Sequence, residues 1–458
     1  MNEISESMST SLNDVTLTNS KITFKNSDGS VTSKNSIALD NLTFEKGTGD
    51  DGKESVLGIA DGTKLTINKK IDVASGEGTF EVSDLGQITL EENLEVNGSN
   101  NINTHYVGGS VADQLATGAT DITAIEDDSV QGQLNKNYGD IIIDGGYIGG
   151  NTKLEYIDDK YQITAQEENG FTASTMDLAK LNALAWRSEL TTITDRLSTI
   201  RSTPDVAGVW VRYKGGEWDG DDVNQQFNGF ELGVDKMITP NFLVGVSASY
   251  VKGDGDLDYG SSDNEIYSGA VYFSGFNGGW FVDVVGKVGR VSTDFDLSYN
   301  GLQDSGNYDQ LGYLLGVETG YRFNFDNFFV EPQVQLTYSY LSDEEVTTSN
   351  RDIDFDEQKS FIGRVGFMSG YNFNDLGSVY LHASYYHDFD GDVDASFSLK
   401  NADNYVSESD ELDSNWGDIG LGADLHLGNA TLFVEGARTY GGDIDLEWTA
   451  NAGVRYTF

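Results

Sequence analysis

Four histidines and no cysteine limit the chemistry open to this 458-residue chain. Without thiols there is no disulfide scaffold, no thiolate zinc ligand and no thiol redox centre. In the N-terminal part, a Ser-His-Asp triad would have to use His105, in Thr104-His105-Tyr106, and no Gly-x-Ser-x-Gly elbow accompanies it. His105 therefore reads as a surface or rung-filling residue. His382, His387 and His426 fall in strand-like segments, and His387 with Asp388 and Asp390 is the arrangement that a protease at a barrel rim could use. Asp254, Asp256, Asp258 and Glu265 imitate calcium-loop spacing, but Tyr259 stands where that loop needs glycine and no helices flank it. Asp390, Asp392 and Asp394 are as dense, and such stretches read as solvated surface. The expectation is no catalytic residue, no cofactor and no metal site.

Composition narrows the partners. With 28 Lys and Arg against 75 Asp and Glu, the formal charge of −47 repels phosphate backbones, so nucleic acid is excluded as a partner. No apolar run reaches the ~18–20 residues of a transmembrane helix, which leaves a strand-built membrane span open. Eight of the 52 aromatic residues lie in 1–170 and 42 in 205–458. That split points to two folds in two solvents.

The first part, opening MNEISESMST, lacks the basic and apolar regions of a secretory signal, so an exported protein is expected to be a longer chain than this one. Short strand-like pieces follow at 15–17, 21–24, 42–44, 64–67, 78–82, 87–90 and 140–143, separated by Asn, Asp and Gly. Stacked short strands with polar turns suit a β-solenoid; a sandwich or a partly disordered acidic segment is the alternative. The one long helix is expected over 174–203, capped by Ser174 with Asp177 in capping-box register and ended by Pro204. Trp186, Leu190, Ile193, Leu197 and Ile200 make a narrow stripe, while Arg187, Glu189, Asp195, Arg196 and Arg201 take the other faces. Such polarity suits a wet channel; an ordinary surface helix packed by its stripe is the alternative.

After Pro204 the period becomes two. From Leu446 to Phe458 even positions are apolar or small and odd positions polar or glycine; 330–340 does the same, and 418–427 alternates with its apolar residues at odd positions. Twelve strands are expected, near 207–219, 222–236, 240–252, 264–275, 279–293, 309–324, 328–341, 359–373, 377–389, 414–427, 430–440 and 446–458. Their length suits a tilted bilayer crossing, short turns alternate with acidic loops at 253–263, 294–308, 342–358 and 390–413, and aromatics gather at strand ends. An even number of strands closes the sheet and leaves no unpaired edge in lipid. His382 and His426 fall in the inward-facing register.

At this point the chain resembles the autotransporters, the type V secretion proteins of Gram-negative bacteria. The resemblance rests on Arg196-Leu-Ser-Thr-Ile-Arg201, Ala207-Gly-Val-Trp-Val-Arg212, Gly320-Tyr-Arg-Phe323, Phe329-Val-Glu-Pro-Gln-Val-Gln-Leu336 and the terminal Gly453-Val-Arg-Tyr-Thr-Phe458. It implies an all-β protein: a 12-stranded antiparallel transmembrane barrel at 205–458, a pore-threading helix at 171–204, and a β-solenoid-like passenger at 1–170 whose last part, about 100–170, assists folding. The implied activity is export and display of the passenger at the cell surface, as an adhesin or other surface-interaction and virulence module rather than an enzyme. A passenger hydrolase, an omptin-like protease and a simple channel are the alternatives. Implied partners are outer-membrane lipid and lipopolysaccharide, periplasmic chaperones, and the barrel-assembly machinery, for which Val454, Tyr456 and Phe458 form the signal. Many relatives cut themselves between two adjacent Asn in the helix; the matching positions here are Thr191 and Thr192, which cannot form the cyclic imide, so the passenger is expected to stay attached.

Overall fold

The computed structural model describes residues 9–25, 35–47, 54–135, 139–190 and 207–458. It divides into two compact units. One comprises Met1–Thr172 with Tyr299–Leu302 and Ala402–Val406, the other Ala173–Ser298, Gln303–Asn401 and Ser407–Phe458.

The first unit is a parallel solenoid. Ser9–Thr18, Asn35–Glu45, Thr63–Val73 and Gln87–Leu90 stack as one sheet, with Leu12, Leu39, Ile67 and Leu90 in register. Lys21–Phe24, Ser55–Ile59, Gly78–Ser83, Ile102–Val107 and Ile141–Ile143 form a second. In it, Ile22, Leu57, Phe80, Thr104 and Ile141 make the matching ladder. Each rung buries its apolar residues only against its neighbours. Phe44 and Phe80 meet edge to face between the sheets at 5.5 Å. The antiparallel pair Thr152–Ile157 and Lys160–Gln166 ends the second sheet. Three short helices, at Ser110–Ala116, Ile122–Asp128 and Val130–Gln133, were not foreseen, since none is long enough to show a helical period. The last two are capped by Asp121 and Ser129.

The second unit is a closed antiparallel barrel. Its strands are Ala207–Gly220, Val223–Thr239, Phe242–Leu257, Gly260–Asn277, Trp280–Tyr299, Leu302–Tyr321, Phe328–Leu341, Gln358–Asn372, Gly377–Asp388, Asn415–Leu427, Ala430–Tyr440 and Ile444–Thr457. The first pairs with the last, from Gly208 opposite Thr457 to Gly220 opposite Ile444, so no edge remains.

Two of the four expected acidic loops are not loops. The stretches 253–263 and 294–308 continue the strands to tight turns between Leu257 and Gly260 and between Tyr299 and Leu302. The other two contribute Glu344–Thr347, Arg351–Phe355, Asp392–Leu399 and Tyr405–Glu411 to a separate four-stranded sheet. The physical reason is a change of dressing partway up each strand. Along Trp280–Tyr299, Val282, Val284 and Val288 point outward while Asp283 and Lys287 point inward; beyond them Arg290, Asp294 and Asp296 point outward while Val291, Phe295 and Leu297 are buried. The lower part meets lipid and the upper part meets water, and both keep the period of two.

Candidate functional site: the lumen and its helix

The helix runs Gly170–Ser188, starting four residues before the expected Ser174. Asn169 is the cap, its Oδ1 accepting from the backbone N–H of Phe171 (3.0 Å) and Thr172 (3.1 Å). Ser174 instead accepts from the N–H of Tyr259. Asn169-Gly170 reads as a turn in sequence, which hid the start. Ile193, Asp195, Arg196, Leu197, Ile200 and Arg201, with Thr191 and Thr192, lie outside the described residues.

Strands on several sides hold this helix in the lumen. Asn182 donates to Thr293 (3.1 Å) and Tyr308 (2.8 Å) and accepts from Asn264. Trp186 is fully buried and donates to the Tyr313 carbonyl at 3.4 Å. Its ring fits only because Gly289 and Gly312 carry no side chain; a Cβ on Gly312 would lie 2.3 Å from it. On another side Gln358 donates to the Ala179 carbonyl, and Lys180 pairs with Asp177 (2.9 Å) and Asp410 (2.8 Å). The expected wet channel is corrected here: nearly every helix residue from 170 to 190 is buried or half-buried, and its polar groups meet strand side chains.

Charge pairing is concentrated at the helix end. The Glu189 side chain is 1% exposed and pairs with Lys214 and, at 2.6 Å, with Lys287. Ser249 (2.8 Å) and Ser268 (3.2 Å) donate to the same carboxylate. Lys287 also lies 3.7 Å from Glu231. Arg187 meets Asp388 at 3.4 Å and lies 4.2 Å over the Trp416 ring, which stacks on Tyr386. Opposite charges two residues apart thus tie the end of the helix to different strands. Beside this end lies a cavity of about 140 Å³, lined among others by Arg187, Lys214, Arg364, His382, Asp418 and Glu435.

The remaining sequence leads resolve individually. His382 lies inward, 3.8 Å from Asp418 and 4.0 Å from Glu435, and His426 lies 2.9 Å from Asp424. Asp388 turns inward to Arg187 while half-buried His387 meets Asn415, so the two occupy opposite faces of one strand and make no dyad. Asp254 and Asp256 sit on a straight ladder where Lys252 bridges Asp254 and Asp263, and Glu265 accepts from Tyr250 and Tyr267; the calcium-loop wrap is not formed. His105 pairs with Asp144 at 2.6 Å, and that carboxylate raises the imidazole pKa above its usual value. Val454 and Tyr456 share the outward face of the final strand, where Tyr456 stands opposite Val209 and Ala430, exposed Phe458 lies just past its end, and Arg455 turns inward to Asp235.

A closed twelve-stranded barrel with an apolar outer band and a helix held inside by buried charge pairs defines an outer-membrane translocator. The model of the autotransporter beta-domain matches residues 209–437, and the chain belongs to the autotransporter family. It is 26% identical to the YaiT protein of Salmonella typhimurium over 426 residues, covering 84% of this chain and 41% of that protein. It is 27% identical to the pertactin autotransporter of Bordetella parapertussis over 298 residues, covering 61% of this chain and 32% of that protein. The chain thus spans less than half the length of these curated relatives. The translocator domain of autotransporter NalP from Neisseria meningitidis shares the fold, with a TM-score of 0.50 at 13% identity over 61% of this chain and 99% of that domain.

Proposed function

We propose that the barrel exports the N-terminal part of its own chain, displays it uncut at the cell surface, and that the displayed solenoid works as an adhesin or similar surface-interaction module. The observation that carries the uncut display is the clamp at the helix end, where Glu189 lies between Lys214 and Lys287 while Arg187 reaches Asp388. Thr191-Thr192 in place of an Asn pair supports the same reading. Binding over hydrolysis is supported at the rim, where His387 faces away from Asp388. In this reading 1–170 is the passenger, with about 100–170 assisting its folding, 171–204 the linker and 205–458 the translocator. The outward Val454 and Tyr456 and the terminal Phe458 are offered to the assembly machinery after periplasmic chaperones deliver the chain.

Protease added to intact cells tests the display. Loss of an epitope in 1–170, with the barrel spared, is expected; an epitope that survives until the cells are lysed overturns it. Outer membranes should give one band carrying both parts, and two fragments in untreated membranes overturn retention. Cells bearing the full chain should aggregate or attach more than cells bearing 171–458 alone, and equal attachment removes the adhesin reading.

A further inference from the structure

The sixth and seventh barrel strands do not pair continuously. Leu302–Tyr321 pairs with Phe328–Leu341 from Gly312 opposite Leu341 to Gly320 opposite Gln333. Pairing resumes only with Phe323 opposite Val330. Pro332 occupies the gap; with no N–H it cannot continue the ladder. The register is the same on both sides of the gap, and Arg322 keeps its bond on the other side, donating its N–H to the Gly279 carbonyl just before the fifth strand at 2.8 Å.

On the outward face this break opens a groove of about 530 Å³. Its walls are Trp280, Tyr321 and Phe323, and its floor is Pro332, Val334 and the Thr319-Gly320 backbone. Trp280 is 63% exposed, meets Tyr321 edge-on at 5.1 Å, and Tyr321 meets Phe323 at 4.5 Å. The polar groups nearby are all used elsewhere. Thr319 donates to the Phe281 carbonyl, Gln333 turns inward between Glu331 and Arg364, and Arg322 is paired with Glu331 over the Phe329 ring. What remains is an apolar slot whose aromatic lip lies at the short-turn rim that also carries the chain terminus.

We infer that this groove is a lipid site that holds one acyl chain of a phospholipid from the periplasmic leaflet. The surrounding solvent is hydrocarbon, which favours an apolar occupant. Trp280 and Tyr321 stand at strand ends, where amphipathic rings keep their polar tips toward headgroups. No outward cation adjoins the groove among the described residues, so recognition rests on the chain and not on phosphate; this favours a phospholipid over the multiply phosphorylated lipopolysaccharide.

The full chain is folded into vesicles of phosphatidylethanolamine and phosphatidylglycerol, extracted in mild detergent, and weighed by native mass spectrometry. Wild type should keep one phospholipid, and Val334→Trp, which fills the groove, should lower that occupancy about tenfold. Val288→Trp, lipid-facing but outside the groove, should not. Equal retention by wild type and Val334→Trp overturns the inference, as does retention of detergent alone or of added lipopolysaccharide in preference to phospholipid. A second measurement reads the groove through the emission of its own wall residue in the wild-type protein. In vesicles of acyl-brominated phosphatidylcholine, the emission lost in Trp280→Phe should be quenched more strongly than that lost in Trp448→Phe; equal quenching also overturns it.

Discussion

Leu39, Leu57 and Phe80 in the solenoid are fully buried, whereas Leu315 and Leu421 in the barrel are 53% and 68% exposed. In the barrel Glu231, Glu331 and Lys287 are buried as deeply as Leu243 and Val285. Both regions are β-structure with a period of two, and each places apolar side chains toward its apolar phase. For the solenoid that phase is its own interior, and for the barrel it is the bilayer. A related switch occurs within single strands: on Trp280–Tyr299 the inward face passes from Phe281, Asp283, Val285 and Lys287, a mixed set, to Phe295 and Leu297 as the outward face leaves the apolar band. Alternation by itself therefore reports only that a strand has two environments; strand length and the placing of aromatic residues say which of them is wet.

This contrast can be broken at several points. Glu189→Leu strands Lys214 and Lys287 beside an apolar side chain, and loss of one partner of a buried ion pair costs about 3–5 kcal/mol. The temperature at which the folded barrel loses its fast gel migration should fall, and current through planar bilayers should rise; unchanged values would show that the lumen behaves as a wet surface. Phe80→Ala removes a core ring from the solenoid, an effect of about 3–5 kcal/mol. Limited proteolysis should find the first unit loosened while barrel migration is unchanged. Leu315→Arg places a cation in the middle of the apolar band, where the cost is about 2–4 kcal/mol, visible as a lower urea midpoint for barrel unfolding in vesicles.

A smaller effect is expected at Asp113, a buried carboxylate that accepts from the N–H groups of Tyr147 (3.1 Å), Ile148 (2.7 Å) and Gly149 (2.9 Å). Asp113→Asn should destabilise the first unit by about 1–3 kcal/mol, read by hydrogen exchange at those three amides. The smallest concerns His105. Its pKa is raised by Asp144, so its contribution is complete below the unfolded value of about 6.5 and fades as pH rises through the folded one. His105→Gln should lower the stability of the first unit by less than about 1 kcal/mol at pH 6, and by a vanishing amount at alkaline pH.

Much of the barrel was legible because lipid enforces a rule on every strand: Val334, Leu336, Tyr338 and Tyr340 had to share one face whatever their neighbours. The solenoid was harder to read, since Leu12, Leu39, Ile67 and Leu90 come into register across loops of unequal length and share no motif. Within the lumen, Arg187 and Glu189 were visible as charges on a helix, but Lys214, Lys287 and Asp388 looked like any polar residue on an alternating strand. Gly289 and Gly312 gave no local sign of accommodating Trp186, because the need for a missing side chain arises only when the helix is beside them.

The sequence by itself determined the two solvents, the number of crossings and the faces of the strands, because those follow from residue order and period alone. Tertiary structure decided the partners: which inward cation meets Glu189, which carboxylate meets Arg187, and where Pro332 opens the outer wall. Those depend on the register between strands far apart in sequence and on the path of the helix through the closed sheet, and register is set by the whole cylinder at once.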